Sequence, residues 1–343
     1  MITVYGEALV DLVPVGKRAL VPLEPALGGG PFNVARALGR MGSDVAFQSR
    51  LSSDNFGQAL RSSLIDAHVD LSHCPTGEEP TSLAVASIGA DGSASYQFYV
   101  EGTADRFADP VPVHDGCAVF GTLSLALEPA ASRYAAVARA CADAGVVVCL
   151  DPNIRPAFAT EKHRTYLRDF LESVTVLKLS DSEVEFLGDT SHVPVVVTTS
   201  AAGLHVRAPF GECFEPSERM GGDDISDTIG AGDTVMAALA HQFDRLGGAT
   251  PDPANSADSA NCADSVNPAD DSGFAGLSRD TLLALSESDW RGILRFAARA
   301  AAITISRPGA DTPFARELYP ETDIPANAPE PPPDFTFNFT LPD

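Results

Sequence analysis

Short apolar segments alternate with amphipathic ones along most of this chain, and this alternation restricts its fold more than any other feature. The apolar segments have the length of buried strands, and they are 2–5, 45–48, 117–120, 146–150, 174–178 and 195–199. The amphipathic segments carry apolar residues at helical spacing, as in 33–41, 131–144 and 164–172. This order predicts an α/β fold with a mostly parallel sheet and helices on both faces. Ligands of such folds bind beyond the carboxyl ends of the strands.

One segment departs from that order. Residues 81–88 alternate apolar and polar side chains, 89–92 read Gly-Ala-Asp-Gly, and 95–100 form a second strand-like run. The pattern predicts a β-hairpin. In a mostly parallel protein this hairpin is either a plain edge hairpin or part of a separate small sheet.

Composition narrows the classes of partner. The chain has 343 residues and a formal net charge of −24, which argues against nucleic acid and anionic membranes, because phosphate contacts need clustered Lys and Arg. None of the six cysteines forms a C-x-x-C pair, so no zinc site is expected. The N-terminus does not resemble a signal peptide, and no apolar run reaches about 18 residues. We therefore expect a cytoplasmic protein without membrane segments.

Two segments differ in composition from the rest. Residues about 247–289 contain a stretch of Ala, Asp, Asn, Ser and Pro without apolar periodicity, which predicts a flexible, acidic, low-complexity insertion. Residues 320–343 are rich in Pro and predict a tail that either wraps the surface or is disordered. The remaining residues of 1–319 are predicted to form one domain.

The chemistry is concentrated in residues 227–233, which read Asp-Thr-Ile-Gly-Ala-Gly-Asp and precede an amphipathic run, 234–243. The glycines therefore lie at a helix N-terminus, where free N–H groups and the helix dipole attract anions and the missing Cβ allows close approach. Beside a bound phosphate, the Asp233 carboxylate suits a general base that takes a proton from an attacking hydroxyl. The alternative is a glycine loop with an acidic helix cap.

Other phosphate-binding and nucleotide-binding motifs are absent from the sequence. It contains no G-x-x-x-x-G-K-[ST] and no H-R-D or D-F-G motif of protein kinases. Residues 28–33 are not a dinucleotide fingerprint, because Asn33 stands where the third glycine belongs, which weakens a dehydrogenase as an alternative. The remaining candidates for a phosphate cradle are the backbone N–H groups of Gly230, Ala231, Gly232 and Asp233.

Residues 227–233 resemble the D-T-x-G-A-G-D signature of the PfkB (ribokinase-like) carbohydrate kinases. Residues 28–42 resemble that family's other signature, G-G-x-x-x-N-x-A…L-x-x-L-G, in the family's order and at roughly its spacing. The resemblance extends from Ile2 to about Arg316. It implies a ribokinase-like, three-layer α/β/α fold with a small β lid from about 12–27 and 81–100. It also implies transfer of the γ-phosphate of Mg-ATP to a sugar hydroxyl, with Asp233 as the base.

The resemblance also implies which residues bind the sugar and assist catalysis. The sugar ligands are Asp11, Gly28, Gly29, Gly30, Asn33, Phe98, Glu128 and Asp233. From the residues alone, Asp11 also suits a turn, Asn33 a helix cap and Glu128 a solvated helix start. The groups that stabilise developing charge are the N–H groups of Gly230, Ala231 and Gly232 and the planar fork of Arg155. Arg155 alternatively caps carbonyls in its Pro-rich loop.

For the nucleotide, the resemblance implies contacts from Lys178, Ser180, Thr198, Ser200, Gly203, Gly230 and Gly232. Ser180 and Ser200 replace the family's frequent Asn and usual Gly. Glu183 is expected to help hold Mg²⁺ through water. A monovalent-cation site, and with it activation by K⁺, maps to Asp227, Ile229, Thr304, Arg307 and Gly309.

Four segments resemble the bacterial fructokinases of this family in particular: 6–11, 120–125, 151–156 and 306–310. They imply phosphorylation of fructose to fructose 6-phosphate. The alternatives are a 2-keto-3-deoxygluconate kinase, which would need a further positive group for the sugar acid, another sugar kinase of the family, or a non-catalytic sugar-binding regulator. An intact Asp233 argues against the regulator, since a binding protein needs no base. Family members often form homodimers through lid strands, which leaves a homodimer open here.

Overall fold

The computed structural model describes residues 1–16, 20–88, 94–218, 228–248, 277–333 and 335. Its strands, in chain order, are β1 (Ile2–Tyr5), β2 (Leu9–Pro14), β3 (Leu23–Gly28), β4 (Val45–Gln48), β5 (Leu51–Ser52), β6 (Thr76–Gly77), β7 (Ser82–Ile88), β8 (Ala94–Tyr99), β9 (Cys117–Gly121), β10 (Val147–Asp151), β11 (Val176–Ser180), β12 (Val195–Ser200), β13 (Gly203–Ala208) and β14 (Gly211–Pro216). Its helices are α1 (Gly30–Arg40), α2 (Asn55–Asp66), α3 (Ala130–Asp143), α4 (Glu161–Leu171), α5 (Asp181–Leu187), α6 (Ala231–Gly248), α7 (Arg279–Leu283), α8 (Glu287–Ile305) and α9 (Ala315–Leu318).

The main sheet has eight strands in the order β14-β13-β12-β11-β10-β9-β1-β4. Strands from β12 to β4 run parallel, whereas β13 and β14 add an antiparallel edge. Each of the six apolar segments predicted as strands overlaps a strand of this sheet. The prediction of a mostly parallel α/β sheet is therefore confirmed.

Helices cover both faces of the main sheet. In β1 and β9 alternate side chains enter different cores, because successive residues of a strand point to opposite faces. Ile2 and Val119 join the core formed with α1, α6 and α8, whereas Tyr5 and Phe120 join the core formed with α3 and α4. The result is the expected three-layer α/β/α arrangement. Among the residues that the structure describes, no helix is long and apolar enough to cross a membrane.

A second sheet stands apart from the first, with four strands in the order β3-β2-β7-β8. β2 and β7 are parallel neighbours, and the two outer pairs are antiparallel. The predicted hairpin supplies β7 and β8, while residues 9–14 and 23–28 supply the other two strands. The hairpin is therefore part of a separate sheet and not a plain edge hairpin; whether this sheet closes over a ligand stays a prediction.

The predicted insertion at 247–289 falls mostly outside the described residues, and its bounds stay a prediction. Residues 249–276 lie outside the described residues, but α7 and the start of α8 lie within 279–289. Ser278 and Ser286 cap these two helices, each in a capping box. In the predicted tail, residues 320–333 are described, and His68 hydrogen-bonds the Asn327 carbonyl at 3.0 Å.

Candidate active site

The site lies where four neighbouring parallel strands end. β11, β10, β9 and β1 end at Ser180, Asp151, Gly121 and Tyr5, and α6 begins at Ala231 beside them. Gly230, with a φ of +77°, precedes the helix in a conformation that suits glycine. The first N–H groups of α6 lack intrahelical acceptors, as at any helix N-terminus. Of the predicted donors, Ala231 already has a protein partner, because its N–H donates to the Thr228 carbonyl at 3.3 Å.

Asp233 lies in the first turn of α6 with only 6% of its surface exposed. The Asn33 side-chain amide donates to its Oδ2 at 2.8 Å, and that of Asn153 approaches its Oδ1 at 3.4 Å. Burial raises the pKa of Asp233, and the Asn33 hydrogen bond and the charges of Lys178 and Arg155 oppose that rise. A buried carboxyl with a raised pKa and fixed orientation suits a proton acceptor.

Of the two asparagines that contact Asp233, Asn33 was a predicted site residue and Asn153 was not. Asn33 was predicted as a sugar ligand or a helix cap, and the structure places it inside α1, where it holds Asp233. Asn153 has a φ of +40° in the loop after β10 and was not among the predicted site residues. Its signal was present in the sequence Asp-Pro-Asn-Ile-Arg-Pro, because Asn tolerates positive φ better than most residues.

Lys178 is the buried cation of the site. Its Nζ donates to Asp151 Oδ2 at 2.5 Å, and the two side chains are 5% and 4% exposed. A Cβ added to Gly232 would lie 3.0 Å from the same Nζ, so the ammonium faces the glycine loop directly. Burial lowers the pKa of Lys178, but the charges of Asp151, Glu183 and Asp233 and the hydrogen bond to Asp151 together raise it overall. Lys178 therefore stays charged next to the predicted phosphate cradle.

Three consecutive glycines form the junction of β3 and α1, here called the 28–30 loop, and allow it to approach its neighbours. A Cβ on Gly28 would overlap the Asp11 carboxylate. Gly29 has a φ of +105°, and its Cβ would lie 3.0 Å from the Glu7 carbonyl oxygen. A Cβ on Gly30 would lie 2.5 Å from the Thr122 side chain. Gly29 and Gly30 therefore leave little room for a Cβ and Gly29 also needs glycine for its φ, whereas at Gly28 a Cβ would meet only the end of the Asp11 side chain.

Asp11 and Arg155 lie on the open side of the site. Burial raises the pKa of Asp11 to about 6, while the positive charge of Arg155 opposes the rise. Arg155 is exposed, and its charge also acts on Asp233. Phe98 lies on β8 and packs edge-on against Phe158, with ring centroids 5.4 Å apart. The structure thus places Arg155 in electrostatic reach of two of the predicted sugar-binding carboxylates, Asp11 and Asp233.

Glu128, Ser180 and Glu183 make local contacts at helix starts. Glu128 accepts from the Ser132 N–H at 3.2 Å and its hydroxyl at 2.8 Å, at the start of α3. Ser180 and Glu183 form the capping box of α5. Both Glu183 oxygens accept from protein groups, because Oε1 takes the Ile154 N–H and Oε2 the Ser180 N–H and hydroxyl, each at 2.7 Å.

Three of the predicted nucleotide-contact residues, Thr198, Ser200 and Gly203, lie in the β12–β13 hairpin. Thr198 is half-buried and pairs with His205 across the two strands. Ser200 hydroxyl donates to the Gly203 carbonyl at 3.3 Å and accepts from the Ala202 N–H at 3.2 Å. Ser200 therefore closes the turn at the position where the family's glycine was expected.

The two loops of the predicted monovalent-cation site do adjoin each other. A Cβ on Gly230 would lie 2.6 Å from that of Ala310. Thr304 is fully buried, and its hydroxyl meets that of Thr234 at 2.9 Å. The Arg307 guanidinium forms an ion pair with Glu317. Of the other predicted members, Ile229 and Gly309 belong to these loops, whereas Asp227 lies outside the described residues.

Within the described ranges, no group of three or more His, Cys, Asp or Glu side chains is arranged to hold a metal ion. Asp151 nevertheless has a buried Oδ1 without a hydrogen-bond partner, next to Lys178. This oxygen and the engaged Glu183 carboxylate can accept hydrogen bonds from water on a hard cation, which is how Mg²⁺ is commonly held.

Comparison with known proteins gives a consistent result. The model of the pfkB family of carbohydrate kinases matches residues 1–317. A fructokinase of Rhizobium leguminosarum bv. trifolii is 33% identical over 263 residues, which are 70% of this chain and 78% of that protein. A crystal structure of fructokinase with bound ATP from Xylella fastidiosa has a TM-score of 0.73 at 24% identity and covers 92% of this chain and 96% of its own.

A second solved structure is a fructokinase double mutant from Vibrio cholerae O395, in its form with bound fructose, ADP and potassium ion. Its TM-score is 0.68 at 22% identity, with 90% of this chain and 93% of its own covered. At these identities the two structures support the fold, whereas the family match and the Rhizobium relative bear on the family.

Proposed function

This chain belongs to the pfkB family of carbohydrate kinases, and on that premise we propose that it transfers the γ-phosphoryl group of ATP to a hydroxyl of fructose. The observation that carries the proposal is the buried Asp233, fixed by Asn33 at the N-terminus of α6 beside the glycine loop. A base and an anion-binding helix terminus at one point are what phosphoryl transfer to a hydroxyl requires. Fructose is proposed as the acceptor because the Rhizobium relative is a fructokinase.

In this mechanism Asp233 accepts the proton of the attacking hydroxyl. The Asn33 amide keeps one carboxylate oxygen fixed, and the other has only the longer contact with the Asn153 amide, so it is the one that faces the sugar. The N–H groups of Gly230 and Gly232, with Lys178 behind them, stabilise negative charge on the transferring phosphoryl group. Asp11 and the 28–30 loop orient the sugar. Arg155, on the solvent side, acts through its charge on both Asp11 and Asp233.

Mg²⁺ would be held through water by Glu183 and the free oxygen of Asp151, and when bound it neutralises phosphate charge. We also propose K⁺ binding between the Ile229 and Gly309 loops, supported by the adjacency of Gly230 and Ala310. The potassium ion of the Vibrio fructokinase structure supports the same proposal. We further propose that the enzyme works in the cytoplasm on small-molecule substrates.

A coupled ADP-release assay with Mg-ATP and a panel of sugars tests the function, with Asp233→Ala as the blank. The expected result is ADP release that depends on fructose and is absent from the blank. Preference for 2-keto-3-deoxygluconate would keep the kinase reaction and replace the acceptor. No sugar-dependent release from folded wild-type protein would overturn the proposal and favour a sugar-binding regulator.

A further inference from the structure

We infer that Glu7 is a positioning residue for the sugar site, which it serves by fixing Thr122 against the 28–30 loop. The inference rests on the proposed function, since it concerns how that site holds its acceptor sugar. Glu7 follows β1 and precedes β2, at the point where the chain passes from the main sheet to the small sheet. Neither its position nor its chemistry assigns it to the proton transfer itself.

The Glu7 carboxylate is 1% exposed and is surrounded by hydrogen-bond donors from one loop. One oxygen accepts from the Thr122 hydroxyl, and the other accepts from the Ser124 hydroxyl and from its N–H at 3.0 Å. These donors belong to the segment directly after β9. Glu7 therefore joins the end of β1 to the end of β9, more than a hundred residues apart in sequence.

Thr122 has a conformation that needs such support. Its φ is +56°, which is an outlier for a β-branched residue and costs free energy that neighbouring contacts must offset. Its side chain touches the Cα side of Gly30 and lines a small cavity together with Asp233. The 28–30 loop, Thr122 and Asp233 therefore lie next to one another. Glu7 holds Thr122 in place there through a hydrogen bond.

Glu7 takes part in none of the ion pairs that the described residues form. Burial raises the pKa of Glu7, and its hydrogen bonds to Ser124 and Thr122 oppose the rise. A buried carboxylate without a cation is costly to keep. A contribution to stability therefore explains a glutamate at position 7 poorly, whereas its role in fixing Thr122 against the 28–30 loop explains it specifically.

The charge of Glu7 also reaches the base. Its negative charge raises the pKa of Asp233. The charged groups acting on Asp233 are Lys178, Arg155 and Arg36, which favour the carboxylate, and Glu7 and Asp151, which disfavour it. Removing only the charge of Glu7 should therefore move the acidic limb of the activity profile to lower pH.

The test is a double-mutant cycle between Glu7→Gln and Thr122→Val, with Thr122→Ser as the conservative variant that keeps the hydroxyl. For each protein, kcat/KM is measured for fructose at saturating ATP and for ATP at saturating fructose. We expect Glu7→Gln and Thr122→Val each to lower kcat/KM for fructose by about 10- to 100-fold. The corresponding value for ATP should change by less than about threefold, and Thr122→Ser should stay near wild type.

The double variant should be little worse than either single one, because the two residues act as one unit. Glu7→Gln should also shift the acidic limb of the kcat profile at saturating fructose to lower pH, whereas Thr122→Val, which keeps the Glu7 charge, should not. Additive losses, or equal losses for fructose and ATP, would overturn the inference. If Glu7→Gln does not fold, the comparison of Thr122→Val with Thr122→Ser decides alone. A wild-type protein inactive on every sugar would instead remove the proposed function.

Discussion

Replacing Gly232 by Ala should weaken the use of ATP and leave folding nearly unchanged. Gly232 lies inside α6 and is not among the glycines with positive φ, so alanine can adopt its backbone conformation. The added methyl would lie 3.0 Å from Lys178 Nζ, on the surface that we assign to the phosphates. It should therefore keep the phosphate from the loop without preventing the helix from forming.

The expected magnitude is that of one hydrogen bond between the loop and a charged phosphate oxygen. Such a bond is worth about 1.5–3 kcal/mol, which corresponds to about a 10- to 150-fold loss in kcat/KM for ATP. Glycine-to-alanine exchange in a helix stabilises by about 0.5–1 kcal/mol, and the tight contact with Lys178 offsets part of this. We therefore expect the free energy of unfolding to change by less than about 1 kcal/mol.

Gly292→Ala is the matched control. Gly292 is an exposed position in α8 with no atom within 4 Å of the added Cβ. It should gain about 0.5–1 kcal/mol of stability and keep wild-type kinetics. Both variants are compared by urea unfolding and by initial rates over a range of ATP concentrations. If Gly232→Ala folds normally and keeps kcat/KM for ATP within twofold of wild type, the glycine loop is not the phosphate cradle.

Three further predictions concern charge. Asp11→Asn should lower kcat/KM for fructose by about 10- to 150-fold with little change for ATP. In the wild type, Asp11 has a pKa of about 6, so its carboxylate becomes protonated as the pH falls through 6 and the KM for fructose should rise. A flat KM between pH 5 and 7 would contradict it. Lys178→Met should lower the free energy of unfolding by about 3–5 kcal/mol in urea, and adding Asp151→Asn should restore part of the loss; no restoration would argue against the pair. Activity should be higher in K⁺ than in Na⁺ at equal ionic strength, and equal rates would rule out the proposed K⁺ site.

The sequence was sufficient where structure is local. Strands such as β1 and β10 are short, wholly buried apolar runs, so hydrophobicity and length predicted them. Glycine and aspartate at 230–233 predicted a helix N-terminus, and α6 begins at Ala231. The capping boxes of Ser278 and Ser286 are also local signals, and they mark the starts of α7 and α8.

Contacts between residues far apart in the sequence could not be predicted from local patterns. Asn33 and Asp233 are 200 residues apart in sequence, and only the assembled sheet brings α1 against α6. The same holds for the ion pair of Lys178 with Asp151, which joins the ends of β11 and β10, while the nucleotide contact of Lys178 stays a prediction. No pattern within one segment predicts which buried charge meets which partner, because that depends on the order of strands in the sheet.

The central claim is that Asp233 is the base, and the kcat of Asp233→Ala tests it most directly. The variant is assayed by ADP release at saturating fructose and Mg-ATP, after its thermal unfolding and ATP affinity have been compared with those of the wild type. General base catalysis contributes about 10²- to 10⁴-fold, so kcat should fall by at least about 100-fold while ATP affinity changes little. A folded variant that keeps kcat within about tenfold of wild type would contradict the mechanism.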